Sequence, residues 1–182
     1  MKKTLFALNC LLLSFGLLVT VSHGRTPPQS GASKVVMVET VSKPVKGKAV
    51  NFTWKDGDRT VSFADFTAGK VVLLNIWATW CGPCKREIPD LIEISKEMAP
   101  KGVIVMGVSV DDREKAASVR NYVEKVGIPY PIILDNLQIS EAYGGVSAIP
   151  ATFIIDRQGN VINKIVGMMT KDQFVQALSK AF

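Results

Sequence analysis

Val71-Val72-Leu73-Leu74-Asn75-Ile76-Trp77-Ala78-Thr79-Trp80-Cys81-Gly82-Pro83-Cys84 reads as a buried strand that runs straight into a dithiol. Residues 71–77 are almost all apolar and rich in branched side chains, as in a strand covered on both faces. From Pro83 to Met98 the apolar positions Ile88, Leu91, Ile92 and Ile94 recur with charges between them, which predicts a helix. Pro89 lies inside that helix and is expected to kink it. Cys81 and Cys84 thus stand where a strand ends and a helix begins.

This location matters more than the spacing alone. The first turn of a helix offers unpaired N–H groups and the positive end of the helix dipole. A thiolate at Cys81 is stabilised there, so its pKa is expected below the free value of about 8.5. Cys84 lies one turn deeper on the same face, shielded and protonated. The asymmetry assigns two roles: Cys81 attacks a partner disulfide, and Cys84 resolves the mixed disulfide. Gly82 and Pro83 form the connecting loop, Pro83 being well placed in a first helical turn. The loop keeps the sulfurs close enough to bond as a redox-active Cys81–Cys84 disulfide. A structural staple is the rival reading, but so short a loop removes little chain entropy. Half of a zinc knuckle would need a second pair of ligands.

Working outward, Val50–Trp54 and Thr60–Phe63 flank Lys55-Asp56-Gly57-Asp58, a hairpin signal. Residues 103–110 form a second apolar run, and 116–125 a helix that stops at Gly127 and Pro129. Short strands follow at 132–134 and 151–155, the latter turning through 156–160 into 161–166. Residues 171–181 close the chain as a helix with Phe174, Val175 and Leu178 on one face. Strands linked by helices imply parallel pairing with right-handed crossovers, and the last hairpin adds an antiparallel edge.

The 182 residues suit one domain with a real core. Lys2 and Lys3 precede an apolar run from Leu5 to Val21, and Ser22-His23-Gly24 supplies small residues for cleavage. Residues 1–24 are therefore expected to be a signal peptide, or else a retained membrane anchor, the run being short for a bilayer span. Residues 25–48, rich in Pro, Ser, Gly and Lys, read as a flexible linker with one short strand over Val35–Val38, leaving the domain proper at 49–182. Without residues 1–24 the chain holds no His, keeps only Cys81 and Cys84, and carries +4 rather than +6, since Lys2 and Lys3 go with the leader. Hydrolases built on His, and His-based metal sites, are excluded. The residues call for no cofactor. The mild charge lacks the clustered Lys/Arg with aromatics of a nucleic-acid surface, so no nucleic acid is expected as a partner.

The chain resembles the thioredoxin superfamily, and within it the periplasmic TlpA/ResA-like thiol–disulfide oxidoreductases. The resemblance rests on Asn75 through Pro89, and returns at Gly107-Val108-Ser109-Val110-Asp111 and at Ile149-Pro150-Ala151-Thr152-Phe153-Ile154-Ile155-Asp156. It implies an α/β, thioredoxin-like three-layer fold: a mixed central sheet flanked by helices, with an N-terminal β-hairpin and a central insertion. It implies a cis Ile149–Pro150 bond facing the dithiol, with the Ile149 main chain free to pair with an extended substrate. It also implies that Glu87, one turn beyond Cys84, moves protons to and from that thiol and tunes its pKa. Asn75 is a departure, since cytosolic thioredoxins carry a buried Asp at the matching position; an amide there favours Glu87 as the acid in use. Trp77 is expected in the core and Trp80 on the apolar rim around Cys81. Lys85 either favours the Cys81 thiolate or simply faces solvent.

The resemblance further implies an exported or periplasmic reductase of protein disulfides, such as those of apocytochrome c or metal-site assembly proteins, kept reduced by a membrane dithiol donor. The Gly82-Pro83 pair is that of strongly reducing thioredoxin. A disulfide-donating oxidase, a peroxidase on the same fold, and a binding module with an idle dithiol are the alternatives.

Overall fold

The computed structural model describes residues 35–182. Eight strands form one sheet: β1 (Val35–Val41), β2 (Phe52–Asp56), β3 (Arg59–Ser62), β4 (Val71–Trp77), β5 (Val103–Ser109), β6 (Ile132–Leu134), β7 (Ala151–Ile155) and β8 (Val161–Val166). Their spatial order is β3-β2-β1-β6-β5-β4-β7-β8. The run that reads as a doubly covered strand is β4, and each of its residues is buried. It pairs parallel with β5 and antiparallel with β7, so Asn75 faces Gly107 on one side and Thr152 on the other.

The alternation of a strand sorts β4 onto two cores. Val71, Leu73 and Trp77 join the core under three helices: α2 (Gly82–Glu97), α3 (Ala116–Val126) and α5 (Lys171–Leu178). Val72, Leu74 and Ile76 join the opposite core with Phe52, Trp54 and Phe153. That second face is closed by the short helices α1 (Phe63–Phe66) and α4 (Gln138–Ala142), through Phe63 and Ile139. Phe52 stacks on Phe63 with ring centroids 4.8 Å apart.

The helix α2 buries Cys84, Glu87, Ile88, Leu91 and Ile94, the spacing of a single face. It runs unbroken through Pro89. At the other end of the domain, Thr170 and Gln173 form a reciprocal cap that starts α5. The β2–β3 hairpin turns through Gly57, whose φ of +63° suits glycine. Between β5 and β7 the chain carries α3, β6 and α4.

The short strand expected over Val35–Val38 is present and runs on to Val41 as β1, lying inside the sheet between β2 and β6. The part of the expected linker from Val35 onward thus adds to the sheet. Val36 and Val38 turn inward and are buried, while Glu39 and Thr40 face out. Residues 42–50 are also fixed: Ala49 N–H donates to Gly159 O at 2.9 Å, and Val161 N–H to Gly47 O at 2.9 Å. The expected leader, residues 1–24, lies outside the described residues. Among the described residues no helix is long and apolar enough to cross a membrane.

Candidate active site

After Trp77 the chain makes a turn in which Cys81 N–H donates to Ala78 O at 3.1 Å. Cys81 then caps α2. Its φ and ψ of −83° and 108° are extended, and its sulfur lies 3.2 Å from the backbone nitrogen of Cys84, which donates to it. The sulfur thus sits on an unpaired N–H of the first turn, where negative charge is favoured. Cys81 and Cys84 are joined, with S–S 2.05 Å and Cα atoms 5.3 Å apart. The two are not equivalent: Cys84 is wholly buried, whereas Cys81 retains 5% exposure.

The Ile149–Pro150 peptide is cis. This loop faces the dithiol, with Ile149 O 3.7 Å from Cys81 Sγ. Pro150 is buried and Ile149 half-buried. Trp80, next to Cys81, is 64% exposed, a large aromatic face left open at the rim. Gly82 is half-buried, and Pro83 and Lys85 are exposed. Trp77 is core, as its place in β4 requires, and packs on Tyr122 with centroids 5.7 Å apart.

Glu87 is not on a solvated face. It is 1% exposed, on the side of α2 that carries Cys84. Asn75 Nδ2 donates to Glu87 Oε1 at 2.7 Å, and Met169 N–H donates to Oε2 at 3.2 Å. Burial pushes the Glu87 carboxyl up from 4.5 to about 7. The two hydrogen bonds to its charged form pull the other way, and the nearby negative charge of Asp90 adds to the rise. A buried acid poised near neutrality, one helical turn from a shielded thiol, can hold or accept a proton at working pH. The same Asn75 amide donates to Thr152 Oγ1 at 3.2 Å.

All the predicted site residues come together around the start of α2. The surroundings of Glu87 include two groups that reading by motif passes over, Thr152 and Met169. Thr152 has a signal: it lies two residues past Pro150, so strand alternation turns it inward. Met169 has none, since it contributes a backbone N–H from a segment remote in sequence.

The chain matches the AhpC/TSA family over residues 45–164. It is similar to the thiol-disulfide oxidoreductase ResA of Bacillus cereus, with 32% identity over 182 residues, covering 99% of this chain and 98% of the relative. Against ResA of Bacillus thuringiensis the identity is 37% over 112 residues, or 62% of this chain. That alignment spans 64% of the relative, less than two thirds of its length. Among solved structures, a thiol:disulfide interchange protein of the thioredoxin family from Chlorobium tepidum TLS superposes with a TM-score of 0.66 at 32% identity. The superposition covers 77% of this chain and 97% of that one.

Proposed function

The chain belongs to the AhpC/TSA family, and on that premise we propose that it is a thiol–disulfide oxidoreductase that reduces disulfides of exported proteins. The observation that carries this reading is the dithiol itself: one sulfur at the helix cap beside the cis-proline loop, its partner sealed beneath it.

In the reduced protein the Cys81 thiolate attacks one sulfur of a partner disulfide and displaces the other as a thiolate. Cys84 then attacks Cys81 Sγ in the mixed disulfide. The second partner sulfur leaves, and the Cys81–Cys84 bond forms. Two electrons pass from the dithiol to the partner. Cys84 must lose its proton in the second step, and Glu87 is the group proposed to take it. An extended partner segment is held against Ile149, by main-chain pairing, and against the exposed face of Trp80. Gly82 and Pro83 keep the loop short enough for the two sulfurs to meet.

The disulfide so formed must be reduced again. A membrane dithiol donor outside the cytoplasm fits that need, with residues 1–24 as a signal peptide or anchor that delivers the domain there. Apocytochrome c and metal-site assembly proteins, whose paired cysteines must be free before loading, fit as substrates. A peroxidase would work by single-thiol attack on a peroxide, and the tight Cys81–Cys84 pairing suits disulfide exchange better.

Trapping tests the proposal. A Cys84→Ser protein expressed in its own host should accumulate mixed disulfides through Cys81, and mass spectrometry should identify exported proteins with paired cysteines. If no adduct forms, or adducts form equally on a Cys81→Ser control, the reading is wrong.

A further inference from the structure

Just beyond β5 lies a buried acid that the exchange chemistry above does not use. Val110 N–H donates to Trp77 O at 2.9 Å, so the chain beyond β5 lies alongside the turn beyond β4. Asp111 is thereby placed next to that turn, and it is 1% exposed. Its Oδ2 accepts from the backbone N–H of Thr79 at 2.8 Å and from Ser109 Oγ at 2.8 Å. Its Oδ1 accepts from Thr79 Oγ1 at 2.6 Å. Asp111 N–H in turn donates to Ser109 Oγ at 3.2 Å.

A buried carboxylate is costly unless its oxygens are well satisfied, and bonds to an ionised acceptor are short and strong. Here both oxygens are satisfied, and two of the three donors belong to one residue, Thr79. That residue stands two before Cys81. From its other side the same turn is closed by the Cys81 N–H to Ala78 O bond.

We propose that Asp111 is a positioning residue for Cys81: by clamping Thr79 at backbone and side chain, it fixes the turn that delivers the nucleophilic sulfur onto the first N–H groups of α2. The inference rests on the reading of Cys81 as nucleophile. Asp111 bonds to Thr79 and Ser109, not to sulfur, so it acts through the turn and not on the reacting atoms. The backbone on both sides of the 64% exposed Trp80 is thus hydrogen-bonded. Displacements well under 1 Å at a reacting centre are enough to change rates.

The test is the pH profile of Cys81 alkylation by iodoacetamide in the full chain carrying Cys84→Ser, read on the Cys81 peptide by mass spectrometry so that Cys10 does not contribute, and measured well below the unfolding temperature. The charged neighbours of Cys81 along α2, namely Lys85, Arg86 and Glu87, are kept in every variant. In the parent the midpoint should lie below the free-thiol value of about 8.5. Asp111→Ala and Asp111→Asn both remove a negative charge, which by itself favours the thiolate, so the two are compared with each other. Asp111→Asn, whose amide can still accept from Thr79 N–H and donate to Thr79 Oγ1, keeps the clamp, and Asp111→Ala should lie about 0.5 to 1 unit above it, the size expected for a loosened hydrogen bond to the thiolate. Thr79→Val, which removes one bond and little volume, should give a smaller rise and serves if Asp111→Ala does not fold. A low parent midpoint, with Asp111→Ala level with Asp111→Asn and Thr79→Val level with the parent, even with a lowered Tm, would make Asp111 a purely structural residue and overturn the proposal. A parent midpoint equal to that of a free thiol would overturn the nucleophile assignment itself, a distinct failure.

Discussion

Asn75 Nδ2 donates to Glu87 Oε1 at 2.7 Å, tying the central strand to the helix that carries the dithiol. The bond joins the middle of β4 to the second turn of α2, directly under the sheet face where Cys84 is buried. An amide can steady a carboxylate but cannot take its proton. The strand therefore contributes orientation, and the helix contributes the titrating group.

The first prediction concerns that titration. In the disulfide form Glu87 changes charge at about pH 7. The rate at which the dithiol resolves a mixed disulfide should show an inflection in that range. Glu87→Gln should remove the inflection and lower the rate at pH 8 by at least about tenfold, within the usual span of general acid–base contributions. Stopped-flow kinetics of the reduced protein with a model disulfide between pH 5 and 9 would check it. An unchanged profile would leave Glu87 with a structural role only.

The second prediction is thermodynamic. Because burial raises the Glu87 pKa above its unfolded value of 4.5, the folded state binds the proton more tightly. The associated stability is fully present below pH 4.5 and is lost as pH rises through about 7. Asn75→Asp would add a second carboxyl against the first, and two such groups cannot both ionise cheaply. The variant should be close to wild type at pH 5 and less stable by about 2–4 kcal/mol at pH 8. Urea unfolding at the two pH values measures this. Equal losses at both would show that the site tolerates the second charge.

A third prediction tests the packing behind the site. A Cβ at Gly107 would fall 2.5 Å from Ile132 Cδ1 and 2.9 Å from Trp77 Nε1. Both neighbours are buried, so relief of either contact must displace core packing. Gly107→Ala should therefore destabilise the protein by about 1–3 kcal/mol, the range for an overpacked core. Thermal unfolding should show a Tm lower by several degrees, and an unchanged Tm would mean that the contact between β5 and β6 is looser than described.

Much of this arrangement was legible because local chemistry and tertiary position agree. Residues 71–77 are apolar enough to demand cover on both faces, and the structure buries them all. Ile88, Leu91 and Ile94 mark one face of α2, and the same spacing places Glu87 on it, so its burial follows from periodicity once the helix is accepted. The first strand is legible over Val35–Val38, where buried Val36 and Val38 alternate with exposed Met37 and Glu39, but its run to Val41 is not, since Glu39 and Thr40 are both exposed and its partner β6 lies far along the chain. The short α4 was missed for a related reason. Asp135 accepts from the N–H groups of Ile139 and Ser140, and Leu137 precedes the helix at a φ of +73°, so an acid three residues before the helix, reaching past a left-handed Leu, satisfies its first N–H groups in a pattern unlike an ordinary cap. The clamp on Thr79 likewise depends on two strand ends meeting, which no local pattern announces.

The direction of electron flow is the most exposed part of the account, and one equilibrium measures it. Titrating the Cys81–Cys84 couple against glutathione at pH 7 should give a potential in the reducing range, near the value of about −270 mV typical of thioredoxin. A potential near about −120 mV, that of strongly oxidising dithiol proteins, would contradict the account and make this chain a donor of disulfides instead.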